Sequence, residues 1–144
     1  MDRFTFSNFD PAPVNCNMGV RHPTVEHAYQ SMKTTDRAER ERIAALPTPG
    51  QAKRAGRRLR LRDDWERTKV IAMLHVLRQK FAPGSAYALA LLATGDTELI
   101  EWNAWHDRAW GKCSCERCGG VGHNLLGLAL MRVRAELRER EANA

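Results

Sequence analysis

A chain of 144 residues with 43% hydrophobic and 28% charged residues, four Trp among its aromatics, carries enough apolar material for one packed core and too much for a disordered chain. No run approaches the roughly 20 apolar residues of a membrane span, and the opening MDRFTFSNFDPAP has neither an apolar h-region nor a small-residue cleavage site. These features predict one cytoplasmic domain over 1–144 with no membrane partner, while the formal net charge of +6, largely Arg, favours phosphate-bearing partners, a bias that a GC-rich genome would also produce.

Phe4, Phe6 and Phe9 alternate in part along FTFSNF, which predicts a short strand over 3–9 ended by Asp10 to Pro13. Thr24 is placed to cap a helix over 25–35, with Val25, Ala28, Met32 and partly Tyr29 on its apolar stripe. Glu26, Gln30 and Lys33 fall at i, i+4 and i+7 on a polar stripe beside it. Asp36 starts a charged helix to Leu46, and PTPG at 47–50 re-initiates a short one over QAKRAGRRL. Asp63 or Asp64 caps the clearest helix, 65–81, where Val70, Met73, Leu74, Leu77 and Phe81 keep the 3 and 4 spacing of a core face.

Pro83 and Gly84 break that helix, Ser85 caps YALALLAT, and Gly95 stands where a left-handed C-cap is needed. TELIEWN reads as a short strand, and 104–124, rich in Gly and Cys, as a loop. A last amphipathic helix over 125–139 turns Leu126, Leu130, Val133 and Leu137 inward. The sum is a mainly α fold, a compact orthogonal helical bundle with one or two short strands. No dinucleotide-binding glycine fingerprint is present.

By helical spacing alone, Glu26 and Lys33 belong to a solvated face. Asn8 in SNF, and Asp107, Trp110 and Gly111 in NAWHDRAWG, shift that balance, because they set polar groups beside aromatics where a small fold has little structural need of them. Cys113, Cys115 and Cys118 are crowded into CSCERC, and with His123 they could hold a structural zinc, Cys16 standing as the alternative fourth ligand and free thiols in a loop as the plain alternative. Such a site would be closed and would leave the chemistry without a cofactor.

FSNF at 6–9, HPTVEHAYQSMK at 22–33, AKRAGRRLRLRDDWERTK at 52–69, KF at 80–81, LLATGDTELIEWN at 91–103, DRAWG at 107–111 and GHNLLGLALMRVR at 122–134 follow the order and spacing of the NADAR, or YbiA-like, family, which this chain resembles over nearly its whole length. The Cys-rich insert at 111–123 departs from that pattern. The resemblance implies an N-glycosidase of ribosyl or ADP-ribosyl compounds. ADP-ribose on guanine in DNA or RNA is the first substrate class, phosphorylated ribosylamino-pyrimidine intermediates of riboflavin synthesis the second, and a non-catalytic ADP-ribose or nucleic-acid binding module the remaining alternative.

Cleavage of an N-ribosidic bond builds positive charge at the anomeric carbon and negative charge on the departing nitrogen. By analogy with the family, Glu26 and Asp107 are placed to stabilise the sugar cation or activate water. Lys33 is placed as general acid or, if neutral, as a nucleophile. Asn8, Tyr29, Trp65, Trp110, Gly111 and Asn124 are expected to contact substrate, Trp65 with an equal claim as core, and Arg57 to bind a phosphate.

Overall fold

A computed structural model of the protein describes residues 6–144. Of the strand expected over 3–9, residues 3–5 lie outside the described residues, and Phe6 to Phe9 form turns. The strand comes just later, in the PAPVN segment that reads as a terminator: β1 (Pro11–Asn15) pairs antiparallel with β2 (Arg21–Thr24). Pro11 and Pro13 face outward while Ala12 and Val14 are buried, so the prolines sit on the exposed side of a small two-stranded sheet where their missing N–H is tolerated.

Thr24 then opens α1 (Val25–Ser31), its hydroxyl accepting from His27 N at 3.1 Å. All residues of α1 are buried, because α2 (Arg37–Ala44), α3 (Pro49–Arg58), α4 (Trp65–Lys80) and the β1–β2 hairpin all pack on it. Asp36 caps α2 and Thr48 closes a capping box on Gln51 at the start of α3. Buried Arg40 on α2 donates to Thr34 O at 2.8 Å and Asn17 Oδ1 at 2.6 Å, tying α2 to the turn after the hairpin's first strand. Its guanidinium is therefore hydrogen-bonded by neutral acceptors, which offsets part of the cost of burying the charge.

α4 buries Trp65, Ala72, Met73, Val76, Leu77 and Lys80. Val70, expected inside, is 37% exposed; the buried face is rotated toward Ala72 and Val76 because α6 (Leu125–Ala142) packs there as well as α1. Asp64 makes no side-chain cap and instead pairs its carboxylate with Arg62 at 2.6 Å. α5 (Ala86–Ala93) begins with Ser85 Oγ accepting from Ala88 N and ends at Gly95 with φ +61°, the left-handed stop its position predicts. TELIEWN contributes only β3 (Trp102–Asn103), parallel to β4 (Lys112–Cys113). The inward residues expected of α6, Leu126, Leu130, Val133 and Leu137, are all buried. Among the described residues helices dominate, with two small two-stranded sheets, and no helix is long and apolar enough to cross a membrane.

Candidate active site

Because α1 is enclosed, its polar stripe cannot be a wet surface. Glu26 is 7% and Gln30 5% exposed, and Lys33, just past the helix end, is half-buried. Gln30 Nε2 donates to Glu26 Oε1 at 2.8 Å, and Glu26 N donates to Asn8 O at 3.1 Å. The oxygen of each neighbouring side chain amide, Gln30 Oε1 and Asn8 Oδ1, is buried with no hydrogen-bond partner among the described residues. An unmet buried acceptor costs about 1–3 kcal/mol; Gln30 Oε1 is packed against Gly56 of α3. Among the described residues Asn8 Nδ2 meets Met73 Sδ, at 3.8 Å, and Lys80 holds the preceding residue by donating to Ser7 O at 2.7 Å.

Burial pushes the Glu26 carboxyl above its ordinary value, with Asp107 adding to the rise, while the Gln30 hydrogen bond and the charges of Lys53 and Lys33 oppose it. Burial likewise lowers Lys33; Glu26 opposes this and the cations Arg57 and Lys53 reinforce it. An acid raised and an amine lowered, each acting on the other, is the pattern expected where protons are moved, although buried ion pairs of purely structural use share it.

The aromatic residues close the other side. Tyr29, at i+3 from Glu26, lies 5.3 Å between ring centroids from Trp65 and 5.2 Å from Trp110 in an edge-to-face contact. Lys33 Nζ is 5.9 Å from the Tyr29 ring centroid. Trp65 is 5% exposed, so it serves as core and as backing for Tyr29 at once. Burial holds the Tyr29 phenol well above its ordinary range, and it remains neutral at any working pH.

Asp107 belongs to a loop that folds on its own backbone. Its Oδ1 accepts from Ala109 N at 3.1 Å and Trp110 N at 2.9 Å, and its N–H donates to Asn103 Oδ1. One carboxylate oxygen thus orients Trp110 while the charge is felt at Glu26. Gly111 is required by space: a Cβ there would stand 2.2 Å from Glu101 O. Asn124, expected to contact substrate, also has a structural part. It is buried at φ +54°, accepts from Glu101 N at 2.9 Å and donates to Leu99 O at 2.9 Å, so both ends of its amide are occupied in fixing β3 against the start of α6.

The thiols also sort differently from the expectation. His106, Cys113, Cys115 and Cys118 bring their ligand atoms within 4.8 Å of one another. His123 is exposed and outside this group, and its N–H donates to Arg108 O. Cys16 is buried against Arg40 in a different part of the fold, with Nη1 of that residue 3.5 Å from its Sγ. The reason is local: His106 takes φ +68°, which turns its ring back over the Cys loop, whereas His123 follows the point where Gly122 packs directly on the Gly111 carbonyl.

One further residue of weight is not evident from spacing. Lys53 of α3 acts on both Glu26 and Lys33 and lies 5.4 Å from the Trp105 ring centroid. Its signal is Gly56, three residues on, where an added Cβ would stand 1.9 Å from Gln30 Oε1. That glycine lets α3 lie directly on the polar stripe of α1. His22 and His27 are buried structural residues, His22 bonding Ser31 Oγ and His27 bridging Thr24 to Leu46 O. An open cleft of about 710 Å³ lies elsewhere, between Thr34–Asp36, Arg42 and the 58–64 segment, and includes neither Glu26 nor the aromatic group.

A family model for the NADAR domain matches residues 1–138, and the chain belongs to this family. The protein called N-glycosidase YbiA in Shigella flexneri is 37% identical over 134 residues, covering 92% of this chain and 80% of that protein; its Escherichia coli counterpart matches to the same extent. A riboflavin biosynthesis protein of Vibrio vulnificus is 38% identical over 137 residues, of which this chain spans only 35% of the length. The NMR structure of Escherichia coli YbiA superposes with a TM-score of 0.82 at 35% identity, over all of this chain and 83% of that one.

Proposed function

We propose that this chain is an N-glycosidase that hydrolyses the bond between C1′ of a phosphorylated ribose and a base nitrogen. The observation that carries the reading is Glu26, a buried carboxylate with Lys33, Lys53 and Asp107 acting on it and Tyr29, Trp65 and Trp110 beside it. Binding alone has no need of a buried carboxylate acting on a half-buried amine. As the C1′–N bond breaks, its electron pair leaves with the nitrogen, which takes a proton from Lys33, and water adds to C1′ and gives its own proton back to the neutral Lys33 amine. Ionised Glu26 stabilises the cationic sugar, Lys33 gives the proton to the departing nitrogen, and Asp107 fixes Trp110 against Tyr29 as a wall for the base. Exposed Arg57, close enough to act on Lys33, is the phosphate contact.

For the substrate, the names of relatives at 37–38% identity, an N-glycosidase and a riboflavin biosynthesis protein, support a phosphorylated ribosylamino-pyrimidine. A second reading, ADP-ribose on guanine of DNA or RNA, is supported by the exposed Arg54, Arg57, Arg58 and Arg60, a row suited to a diphosphate or nucleic-acid backbone. The test is to incubate the protein with each substrate separately and follow released ribose 5-phosphate or ADP-ribose. Turnover of the pyrimidine is expected; turnover of the modified guanine alone would establish the second reading, and turnover of neither, with ADP-ribose binding intact, would overturn the enzyme.

A further inference from the structure

We propose that His106, Cys113, Cys115 and Cys118 bind one zinc ion as a closed structural site, and that this ion sets the position of the Asp107–Gly111 segment. The observation is convergence. His106 Nδ1 lies 3.3 Å from Cys118 Sγ, 3.4 Å from Cys115 Sγ and 3.9 Å from Cys113 Sγ. A tetrahedral zinc with bonds of about 2.3 Å to sulfur and about 2.0 Å to nitrogen places neighbouring ligand atoms roughly 3.5–3.8 Å apart; the three nitrogen–sulfur separations lie close to that range, and all four ligand atoms fall within 4.8 Å of one another. Three thiolates and one imidazole are also a ligand set that prefers zinc over hard cations.

The surrounding backbone has the form such a shell needs. Cys118 N donates to Cys115 Sγ at 3.4 Å, and a thiolate held by a metal is a better acceptor of such a bond than a thiol. Gly119 and Gly120, at φ +62° and +86°, turn the chain so that Gly120 N donates to Cys113 O at 2.8 Å and Cys113 N to Val121 O at 3.0 Å. Gly122 then lies against the Gly111 carbonyl, where a Cβ would come to 2.1 Å. The loop is therefore folded onto the Trp110–Gly111 backbone at one end and joined to the residue before Asp107 at the other.

His106 explains why an ion here would matter to the site. It is a non-glycine residue at φ +68°, a sparsely populated backbone conformation that persists only where the surroundings hold it. A metal bond from Nδ1 would hold it, and with it the adjacent Asp107, whose Oδ1 orders Ala109 and Trp110. The four protein ligands leave no coordination position for water, so the ion shapes the wall without entering the reaction.

The test uses the full chain, reduced and stripped of metal, titrated with zinc and with cobalt(II) against a competing chelator. One ion per chain, a cobalt spectrum with the intense visible bands of tetrahedral thiolate coordination, and shifts of the Asp107 to Gly111 amide resonances on loading are expected. His106→Ala and Cys115→Ser should each weaken zinc binding about tenfold or more, and His123→Ala should leave it unchanged. No metal uptake by the reduced chain, a six-coordinate cobalt spectrum, or loss on His123→Ala equal to that on His106→Ala would overturn the site. Uptake without movement of the 107–111 amides would overturn the positioning role. Should a variant fail to fold, the cobalt spectrum of the unaltered chain decides alone.

Discussion

Helix α1 and the 104–124 loop each bring charged and aromatic groups to the candidate site, by opposite means. In α1 the backbone geometry is fixed by its own hydrogen bonds and by burial on every side, so a side chain's place follows from its residue number. In the loop, placement follows from individual turns: His106 and Asn124 in left-handed conformations, Gly111 and Gly122 packed without room for a Cβ, and Asp107 spending an oxygen on its own chain. A helix can lend a site its rigidity; a loop must build its own, residue by residue.

The largest expected effect is on the helix side. Glu26→Gln should lower kcat/KM by about 10²–10³, the scale of losing one charge that stabilises a transition state, measured on whichever ribosyl substrate is turned over. It should do so without loss of stability. Since the folded-state pKa of Glu26 is raised above its ordinary 4.5, its contribution to stability is present below that value and lost as pH rises through the raised one. At pH 7 burial of this carboxyl opposes folding, so the variant should melt higher than the parent at pH 7, and the gap should close near pH 4. A variant that melts lower at pH 7 would show that Glu26 holds α1 in place.

Lys33→Met should lower kcat by about 10²-fold, the range of general acid catalysis. Its lowered pKa means the ammonium form is penalised at neutral pH; stability from this group is present above the ordinary 10.5 and lost as pH falls through the folded value, so this variant too should not be less stable at pH 7. Removing the cation should also move the acidic limb of the rate profile upward, because Glu26 loses a charge that favours its ionised form. Borohydride added during turnover should leave no ribosyl adduct on the parent protein; an adduct at Lys33 would make it a nucleophile instead of an acid.

On the loop side the expected effects are smaller in rate and larger in stability. Asn124→Gly keeps the left-handed backbone but removes two buried hydrogen bonds, and should cost about 1–3 kcal/mol by denaturant titration. Activity should fall only in step with the folded fraction. Smallest is Lys53→Met, which should move the acidic limb of the rate profile upward with stability nearly unchanged; an unmoved limb would remove Lys53 from the site.

This contrast also sets what was legible in the sequence. The Glu26–Gln30 part of the α1 stripe, the Thr24, Asp36 and Ser85 caps, the Gly95 stop and the inward face of α6 follow from period and capping chemistry, and the structure has them, although α1 ends at Ser31 and leaves Lys33 past a helix expected to run to residue 35. The β1 strand was not, since its prolines read as breakers and only its pairing partner shows that they lie outward. Val70 misled because two helices, α1 and α6, share the covering of α4 and shift its buried face. His106 escaped because it stands among polar loop residues with no period, and its backbone turn, not its distance in sequence from the Cys cluster, places it there. Lys53 sat within a basic run whose members cannot be told apart until Gly56 is seen against Gln30.

The enclosure of α1 has a consequence for how this protein could change its substrate. Amides of a helix with no exposed residue exchange with solvent only when the whole fold opens, so Glu26 and Gln30 should be among the slowest-moving parts of the molecule. Such a helix offers no position where a substitution goes unfelt. New specificity would therefore have to enter from its neighbours: the tip of α3 around Lys53 and Arg57, and the Trp105–Trp110 segment. Randomising those two stretches while leaving 24–33 untouched is the route by which a different base could be brought to the same charges.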